Sequence, residues 1–223
     1  MPPPHSLPRP AAVILDLDGT LVDTVDTRIR AWLAVFAEFD VPASRDQVAP
    51  LIGSDGRLLA RQVAEDAGIE LPPGRDEEID RRCGEIYERL NRDPRPLPGV
   101  RDFLRALHAK DLPWAIATSS RREQVGTSVD ALGLDADPHI VDGSHVDNAK
   151  PAPDLLLLAA RELGVDPARA WYVGDSTWDM RSATAAGMVP VAVTAGAAVS
   201  PDELEGAGAR AVVGDLGQLV ASL

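Results

Sequence analysis

Ala12-Val13-Ile14-Leu15-Asp16-Leu17-Asp18-Gly19-Thr20 is the stretch on which the reading of this chain turns. Its unbroken apolar run reads as a strand buried on both faces, the mark of a parallel sheet covered by helices. The run ends at two carboxylates spaced two apart, followed by a glycine. In an extended segment, side chains at i and i+2 point to the same side, so Asp16 and Asp18 address one space. Open α/β sheets build ligand sites at the carboxyl ends of central strands. Two acids there suit a nucleophile or metal ligand beside a proton donor.

Working outward, strand-like runs recur at residues 13–17, 114–118, 139–141, 170–174, 189–193 and 211–213. Helical patterns occupy residues 100–109, 122–132, 153–163, 180–186 and 216–222. Strand–helix alternation implies right-handed crossovers and a doubly wound parallel sheet, an α/β Rossmann-like core. One interval breaks the rhythm. Between residues 23 and 95 only helical patterns occur, at 25–38, 56–67 and 76–91. A run of helices inside such a repeat predicts an inserted helical domain. The expected organisation is a core from 11–22 and 97–223, a helical cap from 23–96, and a flexible N-terminal arm over 1–10. Pro94, Pro96 and Pro98 stiffen the return from the insert.

The formal charge is −13, from 22 Lys+Arg against 35 Asp+Glu. That balance argues against non-specific nucleic-acid or anionic-membrane binding, and any anionic substrate then needs a local cation. Cys83 is the single cysteine, so neither an intrachain disulfide nor a multi-cysteine metal site is available. No signal peptide or membrane span is legible, and the expectation is a cytoplasmic monomer or weak homodimer.

Polar residues close four of the predicted elements. Asp16-x-Asp18-Gly19-Thr20 follows the first strand and Thr118-Ser119-Ser120 the second. Lys150-Pro151 precedes a helix, and Gly174-Asp175-Ser176-Thr177-Trp178-Asp179 follows a later strand. A parallel sheet gathers such ends on one edge. Each has a structural alternative: Asp18 as a turn former, Thr118 and Ser119 as helix caps, Lys150 as a solvated lysine, Asp175 and Asp179 as first-turn acids. Helix capping is the better reading for Ser120.

Taken in order, the four motifs resemble those of the haloacid dehalogenase superfamily, in its phosphatase branch, over nearly the whole chain from residue 12. The resemblance implies that Asp16 is the nucleophile of an aspartyl-phosphate mechanism and Asp18 the acid/base. It implies Mg²⁺ held by Asp16, the Asp18 carbonyl and Asp175, with Asp179 on the metal site or orienting Lys150. Thr118 and Ser119 would hold the phosphoryl group with Lys150, and the substrate would be a small-molecule phosphate ester. Dehalogenase relatives usually lack an acid where this chain has Asp18. β-Phosphoglucomutase relatives usually carry a histidine near Arg28 and Glu-Asp in place of Gly174-Asp175. The pattern is therefore most similar to phosphoglycolate phosphatase-like hydrolases, with a sugar-phosphate mutase or a non-catalytic binding protein as alternatives. Arg57 is the candidate contact for an anionic substrate end, against the plainer reading of a solvated helix residue. Trp178 is a candidate for the cleft entrance. The histidines His5, His108, His139 and His145 show no metal-ligand spacing.

Overall fold

The computed structural model describes residues 7–146 and 148–223. Its sheet has six strands in the order β3-β2-β1-β4-β5-β6: β1 Ala12–Leu15, β2 Trp114–Thr118, β3 Ile140–Asp142, β4 Ala170–Gly174, β5 Val189–Val193 and β6 Ala211–Val213. Every pairing is parallel. The chain winds from β1 toward β3, then reverses and winds from β4 toward β6. The reversal leaves a crevice beside β1, where doubly wound sheets bind ligands.

Both faces of β1 are buried. Val13 and Leu15 join Phe103 and Leu107 of α5 (Val100–Ala109) and Leu216 and Leu219 of a C-terminal 3₁₀ segment. Ile14 points the other way, into Leu155, Leu156 and Ala159 of α7 (Asp154–Glu162) and Ala183 of α8 (Thr177–Ala185). Among the described residues, no helix is long and apolar enough to cross a membrane.

The helical insert holds α1 (Val25–Glu38), α2 (Arg45–Val48), α3 (Gly56–Asp66) and α4 (Arg75–Leu90), around its own apolar cluster including Ile29, Val35, Phe36, Val63 and Tyr87. Its two connections run side by side: Asp23 N–H donates to the Arg95 carbonyl at 2.9 Å and Leu97 N–H to the Leu21 carbonyl at 3.0 Å. The remaining helices are α6 (Arg122–Ala131) and α9 (Pro201–Gly206).

Three local differences from the sequence expectation have simple causes. The short α2 and α9 each start with a capping box, from Ser44 and Gln47 and from Ser200 and Glu203. Both boxes are visible in the sequence as a serine followed three residues later by Gln or Glu. Helix α8 starts at Thr177, because Ser176 caps it, and so takes in Asp179. The arm expected over 1–10 is docked at its described end: Leu7 is buried in the core, and the Trp171 indole donates to the Pro8 carbonyl at 2.8 Å.

Candidate active site

The carboxyl edge of the sheet draws the separated motifs into one cleft of about 650 Å³ under the insert. Asp16 follows β1, Thr118 closes β2, Asp175 follows β4, and Lys150 enters from the loop before α7. The core side of the cleft is dense in buried charge. Lys150 is 1% exposed, and its Nζ donates to Asp16 Oδ1 and Asp179 Oδ1, each at 2.7 Å. Burial works to lower the lysine pKa, but the two carboxylates outweigh it, and Lys150 is held above its ordinary value.

Burial also pushes the Asp16 carboxyl up to about 7, with Lys150 opposing and Asp179 reinforcing the rise. Asp175 is raised by burial, then by Asp179 and Asp16. Its Oδ1 accepts from the Thr20 hydroxyl at 2.9 Å. Gly19, at φ +84°, passes so close that a Cβ there would lie 2.2 Å from Asp175 Oδ2. The glycine after Asp18 therefore permits a close approach as well as a turn.

Carboxylate oxygens of Asp16, Asp175 and Asp179 lie within 4.8 Å of one another. Three buried carboxylates share one ammonium, and such a set of hard oxygen donors fits a divalent cation such as magnesium. Asp179 differs from the other two. Its Oδ1 accepts from Lys150 and from the Tyr172 hydroxyl at 2.9 Å; its Oδ2 accepts from the Ser176 N–H at 3.0 Å and hydroxyl at 2.6 Å. Four donors use up the roughly four lone-pair positions of a carboxylate. In this arrangement Asp179 anchors Lys150, one of the two roles expected for it from the sequence.

Asp18 faces the insert. Oδ1 accepts from the hydroxyls of Thr24 at 2.6 Å and Tyr87 at 2.8 Å; Oδ2 accepts from Arg28 Nη2 at 2.9 Å and the Ser120 hydroxyl at 2.7 Å. Burial raises its pKa, but Arg28 and the three hydroxyls more than reverse this, and Asp18 is lowered to about 2. The Arg28 guanidinium stacks 3.4 Å from the centre of the Tyr87 ring and donates to Gln124 Oε1 at 3.1 Å. Arg28, an insert residue, thus binds Asp18, Ser120 and Gln124 of the core.

Two seams flank the cleft. Helix α4 lies on α6 through Asp80–Arg121 at 3.0 Å and Asn91–Ser128 at 3.0 Å. Between them, Gly84 leaves room for Gln124, whose Nε2 would lie 2.2 Å from a Cβ there. On the other side, Trp178 Nε1 donates to the Pro50 carbonyl at 2.9 Å. The indole expected at the entrance is a tie between core and insert.

Thr118 is buried and its hydroxyl accepts from the Ser120 N–H at 3.1 Å; the Ser119 hydroxyl donates to the Gly53 carbonyl at 3.4 Å. Arg57 lines the cleft, but its guanidinium is paired with Asp55 at 3.3 Å. Ser120, expected as a helix cap, instead serves Asp18, and α6 begins without a side-chain cap. His139 pairs with Glu162 at 2.7 Å, and His5 lies outside the described residues. Sequence reasoning missed Thr24, Tyr87, Ser120, Gln124 and Tyr172. Ser120 lay within the Thr118-Ser119-Ser120 motif, and Thr24 is a hydroxyl six residues past Asp18 in a tight turn.

Comparison with known proteins agrees with this geometry. Three curated relatives resemble the chain: N-acetylmuramic acid 6-phosphate phosphatase of Pseudomonas aeruginosa, 31% identical over 84% of this chain and 83% of its own; fructose-1-phosphate phosphatase YqaB of Escherichia coli, 32% over 83% and 97%; and phosphoglycolate phosphatase of Escherichia coli O157:H7, 33% over 82% and 81%. The crystal structure of a hydrolase from Pseudomonas syringae superposes with a TM-score of 0.89 at 31% identity, covering 94% of this chain and 96% of that one. The family model of haloacid dehalogenase-like hydrolases matches residues 13–193, and the chain belongs to that family.

Proposed function

We propose that this protein is a magnesium-dependent phosphatase that hydrolyses a small-molecule phosphate monoester through a phosphorylated Asp16. The observation that carries the reading is the Asp16–Lys150–Asp179 chain beside Asp175, buried where a phosphoryl group can reach it from the cleft. The phosphatases among the relatives support the same class of reaction.

In the first step an Asp16 oxygen bonds to phosphorus, the ester P–O bond breaks, and Asp18 gives its proton to the leaving oxygen. In the second, water bonds to phosphorus, the Asp16–phosphorus link breaks, and Asp18 takes the water proton. Held by Arg28 and Tyr87, Asp18 is ionised, the form that the second step needs. Its service as an acid calls for that grip to loosen. Lys150 neutralises charge on the transferring group, and Asp179 with Tyr172 keeps its ammonium in place. Asp16 and Asp175 would hold the magnesium, which supplies charge neutralisation between carboxylate and phosphate when bound. The insert between residues 23 and 96 acts as the cap that excludes water and admits the ester.

The test is hydrolysis of p-nitrophenyl phosphate with magnesium, with and without a chelator, by the wild type and Asp16→Asn. The chelator should stop turnover, and the substitution should lower kcat at least ~10³-fold without unfolding the chain. Retained turnover by Asp16→Asn would refute the mechanism.

A further inference from the structure

Building on the phosphatase reading, we infer that the leaving group is an uncharged, hydroxyl-rich alcohol and not one bearing a second anion. The pairing of charge along the insert side of the cleft carries this inference. Arg57 is held by Asp55 at 3.3 Å, Arg81 by Glu85 at 2.5 Å and Arg121 by Asp80 at 3.0 Å. Arg28, the other guanidinium lining the cleft, holds Asp18 at 2.9 Å. Each arginine of the described lining is therefore committed to a carboxylate of the same cleft. Glu88 and Glu123 line it too, and neither makes an ion pair among the described residues.

A carboxylate beyond the phosphate would meet guanidinium groups already neutralised by Asp55, Asp80 and Glu85, with the unpaired Glu88 and Glu123 adding further negative charge. Like-charge juxtaposition of this kind is how a site rejects a ligand. Hydroxyl groups meet no such barrier. They can donate to the carboxylates and accept from guanidinium N–H groups left over from the ion pairs, since each guanidinium carries five.

Asp80 is the most built of these acceptors. From α4 it reaches the start of α3, where Gly56 makes room for it: a Cβ at Gly56 would sit 1.8 Å from Asp80 Oδ1. Arg121 fixes its other oxygen. Trp32 adds an apolar surface to the same cleft. The volume agrees, because about 650 Å³ far exceeds what a two-carbon ester fills.

The experiment compares kcat/KM for fructose 1-phosphate, sorbitol 6-phosphate and phosphoglycolate, with magnesium and with p-nitrophenyl phosphate as reference. The polyol esters should exceed phosphoglycolate by at least ~10-fold. Asp80→Asn removes the negative charge that neutralises Arg121, so the polyol-to-phosphoglycolate ratio should fall at least ~5-fold. A purely structural Asp80 would lower both esters alike and leave the ratio unchanged, which overturns the inference. So does a wild type that hydrolyses p-nitrophenyl phosphate yet shows no preference for the polyol esters, although the phosphatase reading then stands. Failure to hydrolyse any ester brings both down.

Discussion

The two walls of the cleft treat charge in opposite ways. On the sheet side three buried carboxylates crowd one buried lysine, and both Asp16 and Asp175 are pushed up, first by burial and then by Asp179, with Lys150 opposing. On the insert side each arginine has its own acid, and Asp18 is driven down to about 2 by Arg28 and three hydroxyls that outweigh its burial. The first wall is short of positive charge and suits a cation with a phosphoryl group. The second is balanced or acidic and suits a neutral group. On the proposed mechanism Asp18 is where the two walls meet, a core acid held by Arg28 and Tyr87 of the insert.

The largest effects are expected where the sheet wall is broken. Asp175→Asn should raise the magnesium concentration for half-maximal activity at least ~10-fold, since it removes a candidate ligand. Asp179→Asn should instead lower kcat ~10²-fold with the magnesium requirement nearly unchanged, because it loosens Lys150. A magnesium titration of both variants separates the roles, and matching shifts would put Asp179 on the metal after all.

A smaller effect is expected on the insert wall. The Asp18 pKa is lowered in the fold, from 3.8 to about 2. Its ionised form therefore adds stability above pH ~4, and the contribution is lost as pH falls through about 2. The shift corresponds to about 2 kcal/mol. Arg28→Gln should forfeit most of it at pH 6 and little near pH 2, as read by urea unfolding at both values. A pH-independent difference would mean that Arg28 acts through packing alone.

The smallest effect concerns the Trp178 seam. Trp178→Phe removes the indole donor to Pro50 and should cost about 1 kcal/mol in urea unfolding. Turnover should change only a few-fold. A change as large as that of Asp179→Asn would make this seam part of the catalytic geometry.

The difference between the walls also explains what could be read in advance. Asp16, Thr118 and Asp175 stand at the ends of apolar runs, and a parallel sheet gathers such ends on one edge, so linear pattern and spatial position coincide; Lys150 was legible only as the Lys-Pro ahead of a helix. Asp179 was legible as a helix-start acid and as a Lys150 partner, and it is both: one oxygen caps Ser176 and the other holds Lys150. Tyr87 and Gln124 carried no such mark. Tyr87 reads as one more apolar position of a cap helix, yet its hydroxyl crosses 69 positions of sequence to reach Asp18. Arg57 follows Gly53-Ser54-Asp55-Gly56 and reads as a candidate anion contact, but a guanidinium's availability depends on whether an acid such as Asp55 takes it first. Local pattern does not encode that competition.

The central claim is that Asp16 carries the phosphoryl group, and trapping tests it most directly. Asp18→Asn should stall the second step while p-nitrophenol, a good leaving group, still departs in the first. After incubation with p-nitrophenyl phosphate and magnesium and an acid quench, mass spectrometry should find a gain of about 80 Da on the peptide containing Asp16. The gain should be absent in Asp16→Asn/Asp18→Asn. No such adduct in a protein whose wild type turns over, or an adduct on another residue, would contradict the account.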